Sequence, residues 1–436
     1  MLVSLNSRWH FSADSKIAMN ADSGSLHVLS TEMAERVRSL RQSPSTVVDE
    51  DITLAALGVV VLDPAERQKE INEELELNWS RNAVLTVLPT EQCNFRCTYC
   101  YETFEKGRMS SALQLGLHKF LRQQVPMYES FQLAWFGGEP LVETEVIAQA
   151  TAIFHQARNA HRVRGTASIT TNGYLLSGSR LERLDTAGID VYQITLDGDP
   201  AVHDSQRITA SGHKTHHQIM ENIKGVLTNT LARVVVRINV DTHKDEAAKR
   251  TACWVRNELA DLVTMGGERV DIAVVPVWSA DTTTIDGICL SSAHRFQVLN
   301  MVKEAACEIK GTTTVEKFLQ LSSALGTLSC YAGKPNTWVV GSDGTVYKCT
   351  VAFDLPENKI GRLTESGNME LDIEKAALWT QKNATNDPTC GKCAFARSCQ
   401  GIFCPLLRMQ VEKPPCPTEK RLFDLAVASE VNSYVK

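Results

Sequence analysis

The stretch CNFRCTYC, residues 93–100, follows the apolar run Ala83–Leu88 and holds Cys93, Cys97 and Cys100 in the spacing Cys-x3-Cys-x2-Cys. Three thiolates can bind three irons of a [4Fe–4S] cube and leave the fourth iron without a protein ligand. An iron with an open position can bind and reduce a substrate. The spacing therefore predicts a loop with a chemical function directly after a β-strand.

Two other interpretations of this loop account for less of the sequence. A structural zinc site needs four closed ligands, but no histidine lies between His27 and His118, and the next cysteine is Cys253. A redox-active CxxC pair leaves Cys93 without a role. An iron–sulfur cluster uses all three cysteines and is favoured.

The composition excludes several classes of protein. The chain has 436 residues, a formal net charge of −6 and a pI of about 6.0, and it is long enough for several domains. No Lys/Arg block is present, so no nucleic-acid partner is predicted. The longest apolar stretch, Leu54–Leu62, is too short to span a bilayer. The N-terminal MLVSLNSRWHF lacks the basic-then-apolar order of a signal peptide, and we expect a cytoplasmic protein without a membrane partner.

The thirteen cysteines are poor candidates for disulfides in a cytoplasmic chain. Most of them are clustered, and only Cys253, Cys289 and Cys307 stand alone. Isolated cysteines usually behave as small buried apolar residues, which is what we expect of these three. The clustered cysteines are candidates for metal ligands.

Strand and helix signals alternate through the middle of the chain. Near-continuous apolar runs are typical of strands in a parallel sheet that is covered on both faces, and the alternation indicates βαβ units with right-handed crossovers. Six such units predict an α/β fold with a partial (β/α)6 barrel, whose ligand loops lie at the carboxyl ends of the strands. The predicted strands are Ala83–Leu88, Phe131–Phe136, Ala167–Thr171, Val191–Leu196, Val234–Val240 and Val270–Val277. The predicted helices are Leu113–Val125, Val146–Ala157, Arg180–Ala187 and His217–Leu227.

Residues 1–82 are predicted to form a separate module. Short β-type runs precede a helix with Ser30 as its N-cap, and a second helical stretch, Asp49–Leu57, is followed by the apolar run Val59–Leu62. Short strands and helices over this length suggest a winged-helix-like module, with Pro64–Asn78 as a helical linker. The β-type runs are Trp9–Ser12, Lys16–Met19 and Leu26–Leu29.

The C-terminal part, residues 310–436, is rich in cysteine. It contains a turn signal at residues 341–344 between the runs Trp338–Val340 and Thr345–Tyr347, which predicts a hairpin. A zinc site is one alternative here, since four of the cysteines can close a four-thiolate site. The cysteines are Cys330, Cys349, Cys390, Cys393, Cys399, Cys404 and Cys416.

Taken with these motifs, residues 83–436 resemble the radical S-adenosylmethionine (SAM) enzymes that carry a C-terminal SPASM domain. The cysteine loop matches the signature of that superfamily, with the aromatic Tyr99 before the last cysteine. The resemblance implies a radical SAM partial barrel at residues 83–309 and a SPASM domain at residues 310–436. Four further motifs follow strands in the family order: Phe136-Gly137-Gly138-Glu139-Pro140, Thr170-Thr171-Asn172-Gly173, Thr195-Leu196-Asp197-Gly198 and His203-Asp204-Ser205-Gln206-Arg207.

The resemblance implies how SAM would be held. The open iron would bind the amino and carboxylate groups of SAM, and one electron would cleave SAM into methionine and a 5′-deoxyadenosyl radical. The methionyl part would approach Gly137 and Gly138, which lack a Cβ, and the ammonium would meet the carboxylate of Glu139. The other residues that match SAM-contacting positions of the family are Tyr99, Thr195, Arg207 and Val277.

The resemblance also implies two auxiliary [4Fe–4S] clusters, and hence three clusters in all. Cys390, Cys393, Cys399 and Cys416 match the ligands of a distal cluster, and Cys330, Cys349 and Cys404 match those of one nearer the substrate. Two departures from the family pattern affect this assignment. Four residues rather than three separate Cys399 from Cys404, and residues 337–339 contain no cysteine where many relatives have one. The nearer cluster thus has an open iron, a non-cysteine ligand or one of the three isolated cysteines.

Two features point to the kind of radical enzyme. In anaerobic sulfatase maturases, an acidic base directly follows the residue that matches Cys349, but here that residue is Thr350. Residues 1–82 resemble the recognition element of enzymes that mature ribosomally made peptides (RiPPs), which captures a leader peptide as an added strand. A purely structural N-terminal extension is the alternative.

We therefore predict a RiPP maturase that abstracts a hydrogen atom from a precursor peptide and installs a C–C or thioether cross-link. The precursor peptide would bind through its leader at residues 1–82, and an external one-electron reductant would be a second partner. An auxiliary cluster would take the leftover electron. The alternatives are a maturase that forms formylglycine or modifies a peptide otherwise, and, in a different class, a non-catalytic iron–sulfur or zinc protein.

Overall fold

The computed structural model shows an α/β protein with one large sheet and two small ones. The contacts divide the chain into two compact units. Unit 1 comprises Met1–Trp79, Thr313–Lys334 and Trp379–Lys436, and unit 2 comprises Ser80–Thr312 and Pro335–Leu378. The structure describes residues 2–6, 8–21, 23–61, 64–277, 293–410, 415–417 and 420.

Strands and helices are numbered in chain order. The strands are β1 (Leu2–Leu5), β2 (Trp9–Phe11), β3 (Ile17–Asn20), β4 (Leu26–Val28), β5 (Ser45–Thr46), β6 (Val60–Val61), β7 (Asn82–Val87), β8 (Ser130–Trp135), β9 (Ala167–Thr171), β10 (Val191–Thr195), β11 (Arg233–Val240), β12 (Val270–Pro276), β13 (Thr337–Val340), β14 (Thr345–Tyr347), β15 (Lys359–Leu363) and β16 (Met369–Leu371). The helices are α1 (Thr31–Gln42), α2 (Glu50–Ala56), α3 (Pro64–Arg81), α4 (Ser111–Gln124), α5 (Thr144–His161), α6 (Gly178–Ala187), α7 (Pro200–Gln206), α8 (His216–Asn229), α9 (Asp245–Trp254), α10 (Ala260–Gly266), α11 (Ala293–Ile309), α12 (Thr314–Ser323), α13 (Ile373–Thr380), α14 (Pro388–Gly391), α15 (Ala396–Cys399) and α16 (Pro405–Gln410).

The large sheet of unit 2 runs in the order β12-β11-β10-β9-β8-β7-β13-β14-β15-β16. Strands β7 to β12 pair in parallel, and helices α4 to α10 lie between them in the chain. The sequence predictions for these six strands are confirmed, each end to within one residue. The predicted α/β class and the barrel of six β/α units are likewise confirmed, and the carboxyl ends of the six parallel strands form one rim.

Strand β11 shows how the sequence separates its polar side chains from the apolar side chains of the core. Its residues alternate, with Val234, Val236 and Ile238 fully buried and Arg237 and Asn239 only half-buried. Successive side chains of a strand point to opposite faces. The apolar set therefore packs into the core, and the polar set lies on the opposite face.

The predicted C-terminal hairpin is confirmed as β13 and β14, which pair antiparallel. Strand β13 also pairs in parallel with β7, with Trp338 opposite Leu85. Residues 335–378 consequently belong to unit 2, whereas residues 313–334 and 379–436 belong to unit 1. The boundary at residue 309 between the barrel and the C-terminal domain stays a prediction. The two compact units group the residues after 309 differently, since they assign them to both units.

The N-terminal part of unit 1 contains two three-stranded antiparallel sheets, β2-β3-β4 and β5-β1-β6. Helix α1 begins as predicted, since the Ser30 side chain accepts a hydrogen bond from the backbone N–H of Met33 at 3.2 Å. Trp9, Val37 and Leu54 belong to the apolar core of this region. The strands and helices are confirmed, and the winged-helix assignment stays a prediction.

The predicted helical linker is helix α3, and one side of it is buried. Ile71, Leu75 and Trp79 pack in one apolar cluster with Ala384 and Ala396. The indole N–H of Trp79 donates to Oε1 of Gln400 at 2.8 Å. This helix is therefore part of the core of unit 1 as well as a connection.

The composition also led to expectations about membrane spans, disulfides and isolated cysteines. Among the described residues, no helix is long and apolar enough to cross a membrane. No described cysteine forms a disulfide. The expectation of burial is wrong for Cys253, which is exposed on α9, while Cys307 is half-buried and Cys289 lies outside the described residues.

Candidate active site

A cavity of about 320 Å³ lies at the carboxyl ends of β7 to β12 in unit 2. It collects side chains from loops and strand ends that are far apart in the chain, as expected for the rim of a parallel α/β barrel. Of the predicted SAM-contacting residues, all but Glu139 line it. The lining residues are Cys93, Phe95, Cys97, Tyr99, Cys100, Tyr101, Glu102, Phe136, Gly137, Gly138, Thr170, Thr171, Asn172, Gln193, Thr195, Arg207, Arg237, Asn239, Val277, Thr350 and Val351.

The cysteine loop is held by the segment that follows α7. The backbone N–H of Arg96 donates to the carbonyl of Ile208, and that of Thr98 donates to the carbonyl of Gln206, each at 3.0 Å. The N–H of Ala210 returns a hydrogen bond to the carbonyl of Asn94 at 2.8 Å. These backbone bonds fix a loop that has no regular secondary structure of its own.

The glycine turn after β8 lies against the start of the cysteine loop. A Cβ on Gly137 would be 2.3 Å from the carbonyl oxygen of Thr90, and a Cβ on Gly138 would be 2.5 Å from that of Gln92. Gly137 also has φ +125°, a conformation that side chains disfavour. The two glycines thus permit close backbone packing next to Cys93. The sequence alone did not reveal this structural need for glycine at both positions.

Glu139 is fully buried beneath this turn. Its Oε1 accepts from the Thr171 hydroxyl at 2.6 Å and from the Leu141 N–H at 3.0 Å, while Oε2 accepts from the Asn172 N–H at 2.7 Å. Burial raises the pKa of this carboxyl group, and the three hydrogen bonds oppose that shift. The described contacts join the glycine turn to the end of β9, and contact with the SAM ammonium stays a prediction.

A polar cluster of Tyr99, Asp197, Arg207 and Asn239 forms one wall of the cavity, with Asp197 behind the three residues that line it. The Tyr99 hydroxyl donates to Oδ2 of Asp197 and accepts from Nη1 of Arg207 at 2.7 Å. Asn239 donates through Nδ2 to the Tyr99 oxygen at 3.2 Å and to Oδ1 of Asp197 at 3.1 Å. Asp197 and Arg207 are 1% and 6% exposed, so both charged groups lie inside the protein, where the Tyr99 hydroxyl joins them.

The lining of the cavity fits SAM and a [4Fe–4S] cluster. Burial raises the pKa of the Cys93 thiol to about 12, so its thiolate needs a cationic partner such as iron. Nε of Arg207 is buried without a hydrogen-bond partner in the described structure, which leaves a donor for an anionic group. No three Cys, His, Asp or Glu side chains among the described residues converge on a single metal ion, and a cube, in which each thiolate binds a different iron, does not require that convergence.

Several lining residues escaped the sequence predictions. Arg237 and Asn239 lie on one face of β11, and Nε of Arg237 donates to Oδ1 of Asn239 at 3.0 Å. Two polar residues two positions apart in an otherwise apolar strand are the signal that would have identified them. Glu102, one of whose carboxylate oxygens is buried without a partner in the described structure, carries no such signal.

The distal cysteine set lies together within unit 1. Burial raises the pKa of the Cys399 thiol to about 12, and the Cys393, Cys390 and Cys416 thiolates raise it further. Arg408 donates to Sγ of Cys390 at 3.4 Å. Lys420 donates to Sγ of Cys393 at 3.0 Å and lies 3.9 Å from Sγ of Cys416.

The other three auxiliary cysteines are divided between the units. Cys330 and Cys404 belong to unit 1 and Cys349 to unit 2. Cys349 is buried, and its backbone N–H and carbonyl are both hydrogen-bonded by the Asn358 amide at 2.8 Å. A cluster shared by these three cysteines stays a prediction.

Comparison with known proteins agrees with this geometry. Residues 87–252 match the Radical SAM superfamily. The PqqA peptide cyclase of Ruegeria pomeroyi is 24% identical over 308 residues, which cover 70% of this chain and 77% of that protein. Another curated relative is matched over only 46% of its length.

Two groups of solved structures share the fold. The structure of native anSMEcpe with bound AdoMet and Cp18Cys peptide aligns with a TM-score of 0.56 at 16% identity, covering 81% of this chain and all of that one. Streptococcus suis SuiB bound to the precursor peptide SuiA aligns with a TM-score of 0.51 at 13% identity, covering 96% of this chain and 99% of that one. The segment that matches the Radical SAM superfamily, residues 87–252, contains the cysteine loop and the strand ends from β7 to β11.

Proposed function

We propose that this protein is a peptide maturase that binds SAM in the rim cavity and modifies a ribosomally made precursor peptide. The observation that carries the proposal is the cavity in which three cysteines, Thr195 and Arg207 meet. The names of the relatives support a peptide as the substrate, since PqqA peptide cyclase acts on a peptide and SuiB was solved with its precursor.

Each part of the cavity has a role in this proposal. Cys93, Cys97 and Cys100 would hold three irons, and a cluster with bound SAM supplies a 5′-deoxyadenosyl radical when reduced. Arg207, which donates through Nη1 to the Tyr99 hydroxyl, would direct its unpartnered Nε at the SAM carboxylate. The two oxygens of a carboxylate match the donor geometry of a guanidinium.

The remaining cysteines would hold two auxiliary clusters, for three clusters in the chain. The proximity of Cys390, Cys393, Cys399 and Cys416 supports the distal one. Auxiliary clusters would accept the electron that is left when a peptide radical closes a C–C or thioether bond, and an external reductant would supply the first electron. The proposal includes a cytoplasmic location.

A leader peptide would bind to the N-terminal part of unit 1 by adding a strand to a sheet edge. Strand β4 is an edge of the sheet β2-β3-β4, and Val28 on that strand is 71% exposed. The N–H of Leu29, directly after β4, bonds to the carbonyl of Lys16, directly before β3, and Val28 is opposite Ile17. Because hydrogen-bonded and non-bonded pairs alternate in an antiparallel ladder, the N–H of Val28 points to the open edge. Val28→Pro removes that outward donor without removing a bond to β3.

The test combines product analysis with peptide binding. Anaerobically reconstituted protein is incubated with SAM, reductant and each short peptide encoded beside the gene. The proposal predicts about twelve irons per chain from three cubes, 5′-deoxyadenosine, and a peptide whose mass is lower by two hydrogen atoms. A chain that binds mainly zinc, or one that releases no 5′-deoxyadenosine, contradicts it.

The leader site is tested separately with the same peptide. Val28→Pro is expected to weaken peptide binding about tenfold or more, while Val28→Thr, which keeps the N–H, binds as the parent does. SAM cleavage without peptide is the same in all three proteins. Equal binding by the proline variant would exclude this edge as the leader site.

A further inference from the structure

A buried histidine outside the cavity connects two residues of the cavity wall. His203 on α7 is completely buried, and the backbone N–H of Asp197 donates to its Nδ1 at 3.2 Å. A backbone N–H can only donate, so Nδ1 carries no proton. The ring is therefore neutral with its proton on Nε2.

The chain of hydrogen bonds continues to the backbone of Arg207. Nε2 of His203 lies 3.0 Å from Oγ1 of Thr215, and that hydroxyl lies 2.6 Å from the carbonyl oxygen of Arg207. A carbonyl can only accept, so the Thr215 hydroxyl donates to Arg207 and accepts from His203. The donor and the acceptor of each hydrogen bond in the chain from Asp197 to Arg207 are thereby assigned.

The two ends of this chain are the two charged residues that meet at Tyr99. The Asp197 side chain accepts from the Tyr99 hydroxyl, and the Arg207 side chain donates to it. His203 thus fixes the two backbone segments whose side chains form the polar wall of the cavity.

We propose that His203 is a positioning residue which, as the neutral Nε2–H tautomer, holds Asp197 and Arg207 in register at Tyr99 and so sets the affinity for SAM. This inference rests on the SAM-binding role proposed above. Burial lowers the pKa of His203 well below its usual value, and the positive charge of Arg207 and the neighbouring His216 lower it further, which agrees with a neutral ring.

A purely structural role makes a different prediction. The His203 ring also packs against the His216 ring, with centroids 5.4 Å apart, and Phe at position 203 would fill much of the same space. If packing alone matters, His203→Phe changes thermal stability without a selective effect on SAM. If positioning matters, SAM affinity falls while cluster content stays at the parental level.

The experiment measures the Kd for SAM of the reconstituted full chain by equilibrium binding. We expect His203→Phe to raise the Kd about 10- to 100-fold, because two buried hydrogen-bonding groups lose their partner. Thr215→Val is a second variant in case His203→Phe does not fold, and Thr215→Ser is expected to restore most of the lost affinity. The matched control is His217→Asn, an exposed histidine at the start of α8.

A double-mutant cycle tests whether His203 acts through the polar wall. The combined effect of His203→Phe and Tyr99→Phe on the Kd should be smaller than the product of the single effects, because both break one network. Hydrogen exchange of metal-free full-length protein gives an independent measure, with the amide of Asp197 exchanging faster in His203→Phe than in the parent.

The outcomes separate this inference from the proposed function. Parental SAM affinity in His203→Phe and Thr215→Val, or multiplicative effects in the cycle, would overturn the positioning role alone. A parent protein that binds no SAM would overturn the proposed function and this inference together.

Discussion

Substituting alanine for Gly138 tests the close packing between the glycine turn and the cysteine loop. The added Cβ would lie 2.5 Å from the carbonyl oxygen of Gln92 and 2.7 Å from that of Glu91, whereas ordinary contact begins at 3.4 Å. Because Gln92 directly precedes Cys93, relief of the clash by a shift of about 0.9 Å (from 2.5 to 3.4 Å) would also move Cys93, the first proposed cluster ligand. Overpacking of this kind costs about 1–3 kcal/mol, and a misplacement near 1 Å at a reacting centre lowers rates roughly 100-fold.

The assay for Gly138→Ala is iron content and the rate of 5′-deoxyadenosine formation after anaerobic reconstitution. Gly107→Ala is the matched control, because Gly107 lies in the connection between β7 and α4, which also contains the cysteine loop, and no atom lies within 4 Å of its added Cβ. We expect Gly138→Ala to lose cluster content or rate and Gly107→Ala to equal the parent. Equal iron content and rate in both variants would refute the packing argument.

Three further predictions concern other parts of the chain. Tyr99→Phe removes the hydroxyl that joins Arg207, Asp197 and Asn239, so the Kd for SAM in equilibrium binding should rise about tenfold; an unchanged Kd would contradict the role of this hydroxyl. Asp51→Asn breaks the buried ion pair with Arg36 (2.6 Å), and the free energy of unfolding at pH 7 should fall by about 3 kcal/mol. The Arg36 hydrogen bond lowers the folded-state pKa of Asp51. The stability from this pair is therefore present above the unfolded-state pKa of about 3.9 and is lost as the pH falls through the folded-state pKa. If the difference in unfolding free energy between parent and variant stays the same at acid pH, this linkage is wrong. Lys420→Met removes a cationic donor to Cys393 and should lower the reduction potential of the proposed distal cluster in an EPR-monitored titration. Lys382 is exposed, so Lys382→Met should leave that potential unchanged. Equal potentials in the two variants would count against a distal cluster beside Lys420.

The barrel could be predicted from the sequence because its signals are local. Each strand of the barrel is a short apolar run, and motifs that follow such runs must meet at one rim when the strands are parallel. The cysteine loop was placed in this way, whereas Thr195 and Arg207 were assigned from the resemblance to radical SAM enzymes. Strand β13, by contrast, pairs with β7, some 250 positions earlier in the chain, and no local pattern indicates such a partner.

Burial and hydrogen-bond partners of polar residues could not be predicted. Glu139 was expected to face an ammonium, yet its described partners are Thr171, Leu141 and Asn172. Asp197 was equally consistent with a solvated loop before the structure placed it inside the protein. A carboxylate in a loop has the same local sequence signal whether it faces water, a ligand or the interior, so only the three-dimensional contacts distinguish these cases.

The central claim is that the cavity with Cys93, Cys97 and Cys100 binds and cleaves SAM. It is tested most directly by quantifying 5′-deoxyadenosine from the anaerobically reconstituted parent and from the variant with alanine at all three positions. We expect product from the parent. The variant should form no product but retain a share of the iron at the C-terminal cysteines. A parent chain that carries about twelve irons and still forms no 5′-deoxyadenosine would contradict it.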